Sequence, residues 1–190
     1  MLTWLLARKR YGGLVAGHGL QKWWSSLSEE ERSTIRQHGG KLGDVFHPLD
    51  REKSWTSERG TKPILVDLAR LFERDDLRAL GRKIMAHAES LPNTDISMLN
   101  LHFMFHGMIG FYYRCRNDGP DFLPLCEQRC RDMIEVSKQA AQAMRAKHPK
   151  GDLPVHSGYG RLCWLLDKRG DPEAAKLRNE GESQGWIVSI

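Results

Sequence analysis

Residues 157–186 read SGYGRLCWLLDKRGDPEAAKLRNEGESQGW, and this stretch decides the architecture. Tyr159, Leu162, Cys163 and Leu166 fall at i, i+3, i+4 and i+7, the spacing that lines up side chains on one face of an α-helix. Lys168-Arg169-Gly170-Asp171 then makes a turn, and Pro172 to Gln184 opens a second helical stretch with Ala174, Ala175 and Leu177. The pair is a short αα-hairpin. Such a hairpin cannot bury both of its apolar stripes alone, so further helical layers must stack against it.

The residues upstream supply those layers. Asp121 to Met144 reads as one long helix with Pro124 in its first turn, where amides have no helical partner. Its stripe is Cys126, Cys130, Met133, Ile134, Ser137, Ala141 and Met144, and Lys147-His148-Pro149-Lys150-Gly151 ends it. Before it, Asp95 is expected to open a helix to about Asn117, with Met98, Leu101, Phe105, Met108, Ile109, Tyr112 and Cys115 on one face. Leu99, Phe103, Met104 and Phe111 spread apolar character around that helix, which marks it as central and contacted on several sides. Gly107 and Gly110 each cost roughly 1 kcal/mol against Ala, which the close approach of a neighbouring backbone would justify. From Pro63, as first helical residue, Ile64, Leu65, Leu68, Leu71 and Phe72 form one stripe. Asp75-Asp76 then caps a helix carrying Leu77, Leu80, Ile84, Met85 and Ala88, which completes a first hairpin.

Residues 1–62 read as a smaller segment. Short helices are broken by Gly12-Gly13, Gly17 and Gly19, and Ser28 with Glu31 fits a capping box ahead of a helix from Glu29 to about His38. Gly39-Gly40 ends it, and 41–62 forms a connector that Phe46 and Trp55 pin down. Trp4, Leu5, Trp23 and Trp24 are expected to dock these helices onto the first hairpin, since exposed Trp clusters are costly. The chain thus reads as all-α: an N-terminal helical segment and connector at 1–62, and an irregular stack of helical hairpins at 63–190.

The last hairpin resembles the tetratricopeptide-like (TPR-like) family through Tyr159, Leu162, the small Cys163, Leu166, the Gly170-Asp171 turn and Ala175. Phe105, Met108, Ile109, Tyr112-Tyr113 and the Arg116-Asn117-Asp118 break repeat the pattern more loosely, so the resemblance covers about 95–186. Asn179 and Glu182 depart from it, as does the long fourth helix, and the last helix takes on the look of a polar end-cap. The resemblance implies a binding groove built from the first helix of each hairpin, here 95–117 and 157–168. Carried over residue by residue, it would be lined by His106, Tyr113, Arg114, Arg161, Trp164 and Lys168. Trp164, off the core stripe beside Arg161 and Lys168, has the composition of an interface anchor with cationic neighbours, which suits an acidic protein or peptide partner.

Other chemistries have weaker carriers. His102 and His106 with Cys126 and Cys130, each pair at i, i+4, could supply four zinc ligands and a metal-dependent enzyme, but the cysteines sit on an apolar stripe and C-x2-C knuckles are absent. His102 is expected as a hydrogen-bonded residue at the core boundary. No G-x-S-x-G, phosphate-loop, H-E-x-x-H or dinucleotide fingerprint occurs, so a non-catalytic role with no cofactor is expected. Arg8-Lys9-Arg10-Tyr11 near Trp4, and Lys22-Trp23-Trp24, form the alternative, a nucleic-acid or membrane-surface contact, the first of which would make the protein a nucleic-acid-associated regulator. Against it, the net charge of +5 comes from basic residues interleaved with acidic ones rather than clustered. Four cysteines without a secretory pattern suggest a reduced, cytoplasmic protein. The most apolar run, Leu101 to Tyr113, is far shorter than the ~20 residues a membrane span needs.

Overall fold

The computed structural model describes residues 11–189 except 40, 43–44, 47–48, 52 and 55, with backbone alone at 41–42 and 45–46. Its described residues form ten helices and a ladder of two two-residue strands, so the class is all-α. None of these helices is long and apolar enough to cross a membrane. The chain divides into two compact units, Met1–Thr61 and Lys62–Ile190.

In the first unit, α1 (Gly13–Gly17), α2 (Gln21–Ser26) and α3 (Glu29–Gly39) bury Leu14, Val15, Leu20, Trp24, Leu27 and Ile35. The capping box forms as the sequence predicts: Ser28 Oγ accepts from the Glu31 amide at 3.0 Å, and Glu31 Oε2 accepts from the Ser28 amide at 2.7 Å. β1 (Lys41–Leu42) pairs antiparallel with β2 (Val45–Phe46) inside the expected connector. Asp50, also from the connector, is buried and accepts from Trp24 Nε1 at 3.0 Å and Arg36 Nη2 at 2.8 Å. Burial alone would raise the Asp50 carboxyl pKa, but the hydrogen bonds from Arg36 and Trp24 outweigh it and hold the group below its ordinary value. Trp4, Leu5, Arg8-Lys9-Arg10, and the side chains of Phe46 and Trp55 lie outside the described residues.

The second unit contains α4 (Thr61–Arg70) from its second residue on, then α5 (Arg78–Glu89), α6 (Met98–Arg114), α7 (Phe122–Glu135), α8 (Ser137–Lys147), α9 (Ser157–Asp167) and α10 (Glu173–Ser183). Its most extensive packing joins α6 to α7, α9 to α10 and α7 to α9, and α6 also meets α8 and α9. The central position expected for α6 follows from this: Leu101, Met104, Phe105, Met108, Ile109, Phe111 and Tyr112 are all buried. Tyr159, Leu162, Cys163 and Leu166 of α9 are buried too, against Ala174 and Leu177 of α10.

Several boundaries move for identifiable reasons. Pro63 is the third residue of α4, still within the turn where a missing amide hydrogen costs nothing. Asp75 and Asp76 do not cap α5; they pair with Arg78 and Arg74, while Leu77 holds the cap position with no side-chain bond. Rather than a long paired hairpin, α5 meets the end of α4, where a Cβ on Gly81 would lie 2.8 Å from the Phe72 carbonyl oxygen and 3.1 Å from that of Ala69. Asp95 adopts φ 60°, and α6 begins at Met98 behind Ser97, whose hydroxyl accepts from the Asn100 amide at 3.3 Å. Met98 and Phe103 stay largely exposed, and so does Ala175. The expected long fourth helix is two, broken at Val136, although its buried stripe runs through the break. Gly107 accommodates side chains rather than backbone, since its Cβ would lie 3.0 Å from Val66 Cγ1 and 3.2 Å from Arg70 Cδ, whereas Gly110 has nothing within 4 Å.

Gly185, at φ 87°, ends α10 in a Schellman turn, with Trp186 N–H donating to Gly181 O at 3.1 Å and Gly185 N–H to Glu182 O at 2.9 Å. The tail then folds back, with Val155 and Ile187 forming a parallel bridge and the His156 amide donating to Ile187 O at 2.9 Å. Gly160 makes room for it, because a side chain there would overlap the Ser189 carbonyl.

Candidate binding face

Two rows of side chains meet where α6 and α9 touch. His106, Gly110 and Tyr113 recur at i, i+4 and i+7 on α6; Ser157, Arg161, Trp164 and Lys168 recur at i, i+4, i+7 and i+11 from the start of α9. His106 Nδ1 lies 2.9 Å from Ser157 Oγ, and seven residues further along each helix the rings of Tyr113 and Trp164 meet edge to face at 5.9 Å. The two helices therefore run in the same direction along this face. Each row is turned away from the stripe that its helix buries, which leaves Tyr113, Arg161 and Trp164 half-buried and His106 and Lys168 exposed.

Cations cover the aromatic pair. The Arg161 guanidinium lies 3.7 Å from the Tyr113 ring centroid and 5.7 Å from that of Trp164, Lys168 Nζ is 5.7 Å from Trp164, and Arg116 stacks on Tyr113 at 4.3 Å. Cation–π contact of this kind is worth about 0.5–1 kcal/mol at exposed sites. It orients the guanidinium while leaving its edge N–H groups able to bond. Elsewhere on this unit arginines are neutralised: Arg131 by Glu173, Arg169 by Glu127 and Arg178 by Asp167. Arg161, Arg116 and Lys168 have no carboxylate partner among the described residues.

Of the six residues expected to line a groove, the structure brings His106, Tyr113, Arg161, Trp164 and Lys168 onto one face. Arg114 is elsewhere: one residue past Tyr113 it is rotated by about 100°, and its Nε pairs with Glu73 at 2.7 Å. Arg116, Ser157 and Arg70 join the face or its edge without having been singled out from sequence. Ser157 and Arg116 could have been found by extending the two rows, but Arg70 comes from α4, and no local period points to it.

The four residues weighed as metal ligands do not gather into one ligand set. Cys126 and Cys130 are both buried, and Cys126 Sγ points to the Ile109 carbonyl at 3.6 Å. His102 is not a boundary residue but fully buried, its ring stacked on Trp186 at 5.1 Å and 11°. His156 completes that cluster at 5.1 Å from His102 and 4.7 Å from Trp186. Among the described residues, no group of three or more His, Cys, Asp or Glu side chains is placed to hold a metal ion.

The His102, His156 and Trp186 cluster is neutral. His156 Nδ1 accepts from the Tyr159 amide at 3.1 Å, which places the proton on Nε2. Burial first, and then the neighbouring imidazoles, push His102 down to about 4 and His156 to about 3. His102 Nδ1, His156 Nε2 and Trp186 Nε1 have no hydrogen-bond partner among the described residues.

The chain matches no family model, no curated protein and no solved structure.

Proposed function

We propose that this protein is a non-catalytic binding protein that holds an acidic segment of a protein or peptide along the α6–α9 face. The observation that carries the reading is the row of Arg116, Arg161 and Lys168 on the half-buried rings of Tyr113 and Trp164, without carboxylate partners among the described residues. Aromatic and arginine side chains are the groups that dominate protein interfaces, and unneutralised cations select for acidic partners. The tetratricopeptide-like reading of α6–α10 belongs to the same proposal. It is supported by the shared direction of α6 and α9, by the close pairing of α9 with α10, and by the exposed Asn179 and Glu182 on α10. Each suits the terminal hairpin of a short stack.

A displayed peptide library panned against the protein tests this. Selected sequences should be enriched in Asp and Glu and bind more weakly as salt rises. The double variant Arg161→Ala/Trp164→Ala should lose them by about a hundredfold with its helical circular dichroism unchanged. Equal binding by that variant would overturn the proposal.

A further inference from the structure

At the end of the face where α9 begins, a pocket of about 190 Å³ is lined by Arg70, His106, Ile109, Gly110, Val155, Ser157, Arg161 and Ser189. Two arginines line it from different helices, Arg70 from α4 and Arg161 from α9. His106 and Ser157 form its wall, held together through Nδ1 and Oγ at 2.9 Å. Ser157 is the first residue of α9, whose partial positive N-terminus adds to the field. Among the described residues Arg161 has no carboxylate partner, and Arg70 pairs with Glu73 alone, whose Oε1 lies 3.7 Å from its Nε while Oε2 bonds Arg114 Nε at 2.7 Å. The glycine at 110 keeps the pocket open, since nothing lies within 4 Å of where its Cβ would be.

We infer that this pocket binds the dianion of a phosphate monoester. The charge decides between oxyanions. Arg70 and Arg161 contribute two fixed positive charges, which a carboxylate balances only by half and a phosphate monoester, at about −1.5 to −2, balances nearly fully. The volume admits a tetrahedral group with some of its water, at roughly 30 Å³ per water molecule. His106 supports the assignment: although its side chain is largely exposed, partial loss of solvation and then the Arg70 charge hold its imidazole below its ordinary value, so an anion that offsets Arg70 will raise it. The inference rests on the proposed binding face in that Arg161 serves both, and it specifies a phosphorylated side chain as the acidic group seated at this end.

The test uses the full chain with inorganic phosphate, O-phosphoserine and serine as probes, followed through the His106 imidazole by nuclear magnetic resonance. Phosphate and phosphoserine should raise the His106 pKa and saturate, and serine should do neither. Arg70→Gln, which touches the pocket but not the aromatic pair, should weaken both probes about tenfold. Absence of any His106 response at tens of millimolar phosphate, or equal affinity in Arg70→Gln, overturns the site. If acidic peptides still require Trp164 in that case, the binding face stands without it. Phosphate binding alongside peptides indifferent to Trp164 supports the pocket and removes the face.

Discussion

Two aromatic groups on the same pair of helices, barely three turns apart, are built from similar chemistry and behave in opposite ways. In the first, His102 of α6, His156 at the cap of α9, and Trp186 of the tail are 2%, 0% and 2% exposed. In the second, Tyr113 of α6 and Trp164 of α9 are half-buried beneath Arg161 and Lys168. Imidazole can shed its proton, so sealing the first group neutralises it. Guanidinium cannot shed its proton at any ordinary pH, so the second group must stay at the surface and keep its charge. Protonation chemistry thus divides one helix interface into a neutral latch for the tail and an accessible cationic face.

The largest effect should come from the latch. Trp186→Ala removes a buried ring from between two imidazoles and should cost about 3–5 kcal/mol in chemical denaturation, because the surrounding groups relax only partly into the cavity. A cost below about 1 kcal/mol would mean that the tail is not docked as described.

Acid should open the same group by a separate route. In the unfolded chain both imidazoles take up protons at the ordinary value of 6.5, whereas folded His102 and His156 do so only near 4 and 3. Between those limits the unfolded state binds more protons, so stability is fully present above about pH 6.5 and falls as the pH drops toward 3. The loss should reach roughly 3 kcal/mol or more for the pair. In His102→Phe, which keeps an aromatic ring against Trp186, the part of this loss between pH 6.5 and 4 should shrink, as urea denaturation across that range will show.

Smaller changes probe the open face. Gly110→Ala meets no neighbour within 4 Å and should stabilise α6 by about 0.5–1 kcal/mol while filling the mouth of the pocket; Gly107→Ala, pressed against Val66, should not share the gain. Thermal melts of the two variants side by side decide this. Arg161→Ala should change stability least, by under about 1 kcal/mol, because its contacts are cation–π contacts at a half-buried site. A larger loss would make Arg161 a structural strut rather than part of a binding face.

Much of this was legible in the chain. The capping box of Ser28 and Glu31, the greasy centrality of α6, the α9 stripe and the turn into α10 are local or periodic signals, and the structure shows each of them. The row of Arg161, Trp164 and Lys168 could likewise be read by its offset from the buried stripe. Boundaries set by competing local bonds could not: Asp75 and Asp76 prefer neighbouring arginines to a helix cap, and α6 waits for Ser97. His102 was misplaced because periodicity ranks a position by its distance from the stripe. Its burial comes from Trp186, more than eighty residues later in the sequence.

By itself, then, the sequence determined which segments are helices, which face of each is apolar, and that α9 carries cations beside an aromatic. Hydrophobic spacing and helix-end chemistry act within about two turns, so those outcomes need no knowledge of the neighbours. Tertiary structure alone decided that Tyr113 meets Trp164, that Arg70 and Arg161 share a pocket, and that Trp186 seals two histidines. Each depends on how helices remote in sequence cross and on where the tail returns. Close packing across the whole unit selects those arrangements, and no local pattern records it.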